Sequence, residues 1–118
     1  MVLVDTSIWI DHLRSKDERL VNLLEQGQVS IHPMIIGELA CGYLHNRQQL
    51  LSLWKNLSYV TEATHNEAVH CLEENKLMGK GIGFIDLHLL ASTLLTANTT
   101  LWTRDRCLHN LAELIGVY

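Results

Sequence analysis

The 118-residue chain is 47% hydrophobic and 19% charged with one proline, the composition of an ordinary globular protein and not of a disordered one. Its net charge of −4 excludes broad electrostatic adhesion to nucleic acid, but not a nucleic-acid substrate at a site where bound cations reverse the local sign. Cys41, Cys71 and Cys107 lack metal-ligand spacing and read as reduced core thiols, no signal peptide precedes Asp5, and no apolar run can span a bilayer, so the expectation is one cytoplasmic domain, residues 1–118, without a membrane role.

Val2, Leu3 and Val4 form a short apolar run that reads as a strand buried on both faces, as in a parallel sheet covered by helices. Asp5 follows abruptly, at the carboxyl end where such sheets bind ligands. Thr6 or Ser7 then caps a helix to about Arg14. Asp17 caps a second, Glu18 to Gln26, stopped by Gly27, and Gln28 to His32 alternates like a strand. Pro33 suits the first position of a helix running to about Leu44. A further helix spans roughly Asn46 to Lys55, and Leu57 to Thr61 reads as a third strand. Thr64 and Glu67 form a capping box for a helix ending near Gly79. The Gly79–Gly83 loop leads into a strongly apolar helix, about Phe84 to Ala97. Thr100 to Thr103 reads as a strand, with Leu101 and Trp102 buried, and Arg104 or Asp105 opens a last helix stopped by Gly116. This alternation predicts an α/β sandwich on a small, mostly parallel sheet of four to five strands.

Most of the 13 acids fall on polar faces or in loops. Four do not. Asp5 ends the first strand, Glu38 shares a helical face with Met34, Ile35, Cys41 and Gly42, Asp86 lies on the most apolar helix, and Asp105 follows the strand Leu101–Thr103. A carboxylate facing an apolar interior must be neutralised, paired or bound to metal. Asp5 and Asp105 could instead cap helices, and Glu38 or Asp86 could pair with Arg104 or Arg106. A parallel sheet, however, brings strand ends and helix N-termini to one edge. Four acids converging there outnumber the available bases, and such hard oxygen donors select Mg²⁺ or Mn²⁺ over Zn²⁺. Thr6, Ser7 and Thr103 flank Asp5 and Asp105 and could orient the carboxylates. His32 and His88 lie nearer this edge than the other histidines. Trp9, Ile10, Leu13, Leu20 and Leu24 offer an apolar surface that either packs in the core or receives a partner.

The segments Val4–Asp11, Ile36–Leu39, Gly81–Ser92 and Leu101–Asp105, in that order over nearly the whole chain, resemble the PIN-domain ribonucleases, and more narrowly the VapC toxins of bacterial toxin–antitoxin pairs. The resemblance implies a PIN-like α/β/α sandwich and a Mg²⁺- or Mn²⁺-dependent endoribonuclease that cleaves RNA, often transfer or ribosomal RNA. It places Asp5, Glu38, Asp86 and Asp105 at the four acidic positions, Thr6 beside the first and Thr103 near the fourth. It further implies a homodimer and a cognate antitoxin whose C-terminal segment lies in a groove and reaches the acids. One departure is Cys107, where many relatives carry another acid or Asn. Asp5, Asp86 and Asp105 are the expected metal ligands, with Glu38 ligating or taking a proton, and Arg14, Lys80, Arg104 and Arg106 are candidates for phosphate contacts. A non-catalytic metal- or RNA-binding module of the same fold is the alternative. A receiver-type phosphotransfer domain is disfavoured, since Glu62 and Arg104 stand where it needs Asp and Lys.

Overall fold

A computed structural model describes residues Met1–Tyr118. In chain order the elements are β1 (Val2–Val4), α1 (Thr6–Arg14), α2 (Glu18–Glu25), β2 (Val29–Ile31), α3 (Pro33–Ala40), α4 (Arg47–Lys55), β3 (Ser58–Tyr59), α5 (His65–Glu74), α6 (Phe84–Leu95), β4 (Thr100–Trp102) and α7 (Arg106–Leu114). The apolar run of β1 makes it an interior strand: it pairs on one side with β2 and on the other with β4, while β3 extends the sheet beyond β2. All three pairings are parallel, giving four strands in the order β3-β2-β1-β4 with helices on both faces, an α/β/α sandwich. Parallel pairing carries every strand to its carboxyl end at one edge. Asp5, His32 and Thr103 all follow strand ends there, and that edge is where the acidic positions gather.

One contiguous core holds the sheet to its helices. Leu3 and Val4 are fully buried, as are Ile8, Leu20, Ile31, Ile35, Trp54, Leu89 and Leu90. Of the set for which the sequence leaves core packing and a partner surface both open, Trp9 and Leu20 are core residues. Trp9 packs edge-on against Trp54 with ring centroids 5.8 Å apart. Leu24 is half-buried, so Ile10 and Leu13 are the members of that set left exposed. No helix is long and apolar enough to cross a membrane.

Two helices stop sooner than their apolar spacing suggests. α3 ends at Ala40, not Leu44, because the Arg47 guanidinium takes the Ala40 and Gly42 carbonyls at 2.7 and 3.3 Å. Those carbonyls would otherwise need the next helical turn or water. α5 ends at Glu74, not near Gly79: Lys76 turns left-handed (φ 54°) and the Leu77 N–H folds back to the Leu72 carbonyl, which buries Leu77. The start of α5 is the capping box expected. Thr64 Oγ1 accepts from the Glu67 N–H at 3.1 Å, and Glu67 Oε1 accepts from the Thr64 N–H at 2.9 Å. Thr64→Ala is expected to lower stability by about 1 kcal/mol. A urea midpoint equal to the wild type's would show that α5 does not depend on this cap.

Candidate active site

Asp5 stands at the N-cap position of α1, the place expected for Thr6 or Ser7, yet its side chain caps nothing. The carboxylate is 6% exposed, and two hydroxyls hold it sideways. Thr103 Oγ1 donates to Oδ2 at 2.7 Å and Ser7 Oγ donates to the same oxygen at 3.0 Å. Each hydroxyl in turn accepts a backbone N–H from the turn after β4, Ser7 from Arg104 and Thr103 from Asp105, both at 3.0 Å. Both hydroxyl protons are thus committed to Oδ2. Oδ1 carries no protein hydrogen bond and is the oxygen left for solvent or a cation.

The other three acids reach the same edge from different elements. Glu38 on α3 is tied to the start of α1 by Thr6 Oγ1, which donates to Oε1 at 2.8 Å. Asp105 is the N-cap of α7 and spends Oδ1 on the Leu108 N–H at 2.9 Å, so the capping role considered for it is real. Asp86 lies in the first turn of α6 and is half-buried. Its carboxyl is pushed up to about 6, first by burial and then by the negative charges of Asp5, Asp105 and Glu38. All three neighbours raise it, so the four carboxyls share one electrostatic environment.

The expectation that all four acids face an apolar interior needs correction. Asp5 is buried and Asp86 half-buried, whereas Glu38 and Asp105 are exposed. The edge of a four-stranded sheet is too shallow to enclose four side chains, and the outer two take water as their solvent. No three His, Cys, Asp or Glu side chains stand close enough together to make a ready-made metal cage. Open clusters of this kind still suit Mg²⁺, which uses one or two carboxylates and keeps several waters. Burial and then like charges drive Asp86 upward, and a hard dication among these oxygens would relieve the repulsion. The donor set therefore fits such an ion.

Arg104, a candidate phosphate contact, is committed elsewhere. Its guanidinium pairs with Asp11 on α1 and, at 2.9 Å, with Asp17 at the start of α2. The Leu20 N–H, and after it the Arg104 pairing, hold the Asp17 carboxyl below its ordinary value. Arg104 contributes through its backbone N–H to Ser7 and by clamping the β4–α7 turn against α1 and α2. His32 and His88 are buried at 2% and 6% exposure. His32 Nδ1 accepts the Met34 N–H and caps α3, and burial pushes its imidazole below the usual range, so it is a neutral structural residue. Sequence reasoning missed the Arg104–Asp11–Asp17 clamp and the common use of Asp5 Oδ2 by Ser7 and Thr103. A pairing 87 positions apart leaves no local signal.

Beside Glu38, a groove of about 450 Å³ runs between α1, the end of α3 and α4, lined by Ile10, Leu13, Leu39, Leu44 and Leu50 with Arg14 at its rim.

Residues 2–114 match the PIN domain family. Two curated relatives, each named Ribonuclease VapC32 and each from a strain of Mycobacterium tuberculosis, are 44% identical over 117 residues, covering 99% of this chain and 94% of theirs.

Proposed function

The chain belongs to the PIN-domain family, and on that premise we propose that it is a Mg²⁺- or Mn²⁺-dependent endoribonuclease acting as the toxin of a toxin–antitoxin pair. The single observation that carries the reading is the gathering of Asp5, Glu38, Asp86 and Asp105 at one sheet edge, felt at Asp86 as three like charges. Asp5, Asp86 and Asp105 would hold the ion, and Glu38 would ligate or take a proton. When bound, the ion neutralises the acids and supplies Lewis acidity toward a phosphodiester and the attacking water. The chain's own part is orientation and proton handling. Ser7 and Thr103 fix Asp5 so that Oδ1 is the free oxygen, and Thr6 fixes Glu38. To hold the ion, Asp86 would give up the proton that its raised carboxyl, near 6, otherwise keeps in slightly acidic solution.

The same reading makes the chain one PIN-like domain over residues 1–118, a cytoplasmic homodimer whose substrate is transfer or ribosomal RNA. The antitoxin's C-terminal segment would lie in the Ile10–Leu13–Leu50 groove. Its apolar walls suit an amphipathic segment, and its Glu38 end brings that segment to the acids. The test is cleavage of total RNA by the purified chain. Cutting in Mg²⁺ or Mn²⁺ that stops with EDTA is expected, while RNA left intact in both would reduce the chain to a binding module of this fold.

A further inference from the structure

Three of the five arginines of this acidic chain, Arg19, Arg104 and Arg106, stand beside β4, the edge strand that ends at the acidic cluster. Arg104 is neutralised by its two carboxylates, whereas no carboxylate pairs with Arg19 or Arg106. A cleft of about 480 Å³ follows this strand, with Arg19, Trp102 and Tyr118 among its walls. A second, shallower cleft carries Arg106, and the two share Trp102, Thr103 and His109. Thr103 is the residue whose hydroxyl holds Asp5, so both clefts share one wall residue with the candidate active site, while none of the four acids lines either of them.

The aromatic groups are held in place. The Arg19 guanidinium lies 4.2 Å from the Trp102 ring centroid, which fixes its charge over the indole instead of letting it sweep solvent. The Tyr118 ring meets His109 edge-on with centroids 4.9 Å apart and is 61% exposed, leaving a face free. A cation fixed over an indole and an exposed tyrosine ring in one cleft suit a flexible polyanion that carries flat rings.

We infer that this β4-edge cleft is a binding track for single-stranded RNA flanking the scissile phosphate, with Arg19 and Arg106 taking phosphates and Tyr118 stacking an unpaired base. The inference rests on the ribonuclease reading for what happens at the acids, but binding along the track does not require cleavage. Paired RNA is a poor fit, because its bases are not free to stack. A local cationic stripe also explains how a chain of net charge −4 attracts RNA at all.

The test measures binding and cleavage separately. Binding is followed by fluorescence anisotropy of a labelled 12-nucleotide single-stranded RNA in Mg²⁺, on the Asp5→Asn chain so that the probe stays whole. Tyr118→Ala should weaken binding about tenfold, the scale of one lost base stack, and Arg19→Ala should weaken it by the loss of one phosphate contact. Arg19→Ala and Arg106→Ala should each reduce the slope of log Kd against log salt by about 0.7. Trp9 and Trp54 are buried, so RNA should quench the emission of Trp102, and Trp102→Phe should remove that quench. In the cleaving background the same substitutions should raise KM for the 12-mer and leave kcat unchanged. RNA bound along the track but never cut would sink the ribonuclease reading and keep the track. Equal affinities and salt slopes in all variants would overturn the track, as would substitutions that alter the oligomeric mass by light scattering without changing RNA affinity, which would make this edge a protein interface.

Discussion

Replacing Asp5 by Asn is expected to abolish RNA cleavage, lowering the rate at least 100-fold in Mg²⁺ or Mn²⁺, while the fold survives. Asn keeps the size of Asp and one carbonyl oxygen, so Thr103 and Ser7 can still donate to it if that oxygen occupies the Oδ2 position. The other terminal atom then becomes an NH₂ group aimed where Oδ1 stood. An amide nitrogen cannot ligate a hard cation, and the substitution also removes one of the charges that draw the ion in. An electrostatic group acting on a developing charge is worth about 100- to 1000-fold in rate, and losing a cation's anchor costs at least as much. Unchanged circular dichroism with lost cleavage is the expected pair of results. Full activity in the Asn variant would remove Asp5 from the chemistry.

Asp86→Asn should raise stability, by an amount that depends on pH. In the unfolded chain this carboxyl titrates near 3.8, and in the fold it is raised to about 6. Below pH 3.8 both states keep the proton and the group contributes nothing. As pH rises through about 4 to 6 the unfolded state ionises first, so native stability is lost across that window and stays lower above it. The gap corresponds to about 3 kcal/mol, and because the carboxyl is partly exposed, screening reduces it to about 1–2 kcal/mol. Without divalent cations, the Asn variant should therefore be more stable than the wild type at pH 7.5 by that amount and equal to it near pH 4. It should cleave no RNA, the usual conflict between a charged site and a stable fold. Urea denaturation at the two pH values checks this, and a variant less stable than the wild type at pH 7.5 would contradict the burial and repulsion assigned to Asp86.

Much of this architecture is legible along the chain, for reasons that differ by residue. Asp5 is conspicuous because it ends an all-apolar run, and a parallel sheet dictates where such an end must lie. Asp17 and Thr64 are recognisable caps because a capping bond spans only three residues. Interactions across the fold leave no such trace. Arg104 reads as a free cation beside an acid until Asp11 and Asp17 are brought against it. Ser7 reads as a helix cap until the turn after β4 delivers Thr103 and the Arg104 N–H to it. Trp9 leaves core and partner surface equally open along the chain because the ring it packs on, Trp54, is 45 positions away. Helical spacing also cannot report depth: Glu38 lies on the face expected of it, but that face meets water at the sheet edge.

Calorimetric titration of Mn²⁺ into the metal-free chain at pH 6 bears most directly on the acidic cluster. Saturable binding to the wild type is predicted, accompanied by proton release because Asp86 is partly protonated at that pH. Binding should be lost in the Asp5→Asn, Asp86→Asn double variant. Equal Mn²⁺ affinity in both chains, or no binding to the wild type, would contradict the assignment of these carboxylates as a cation site.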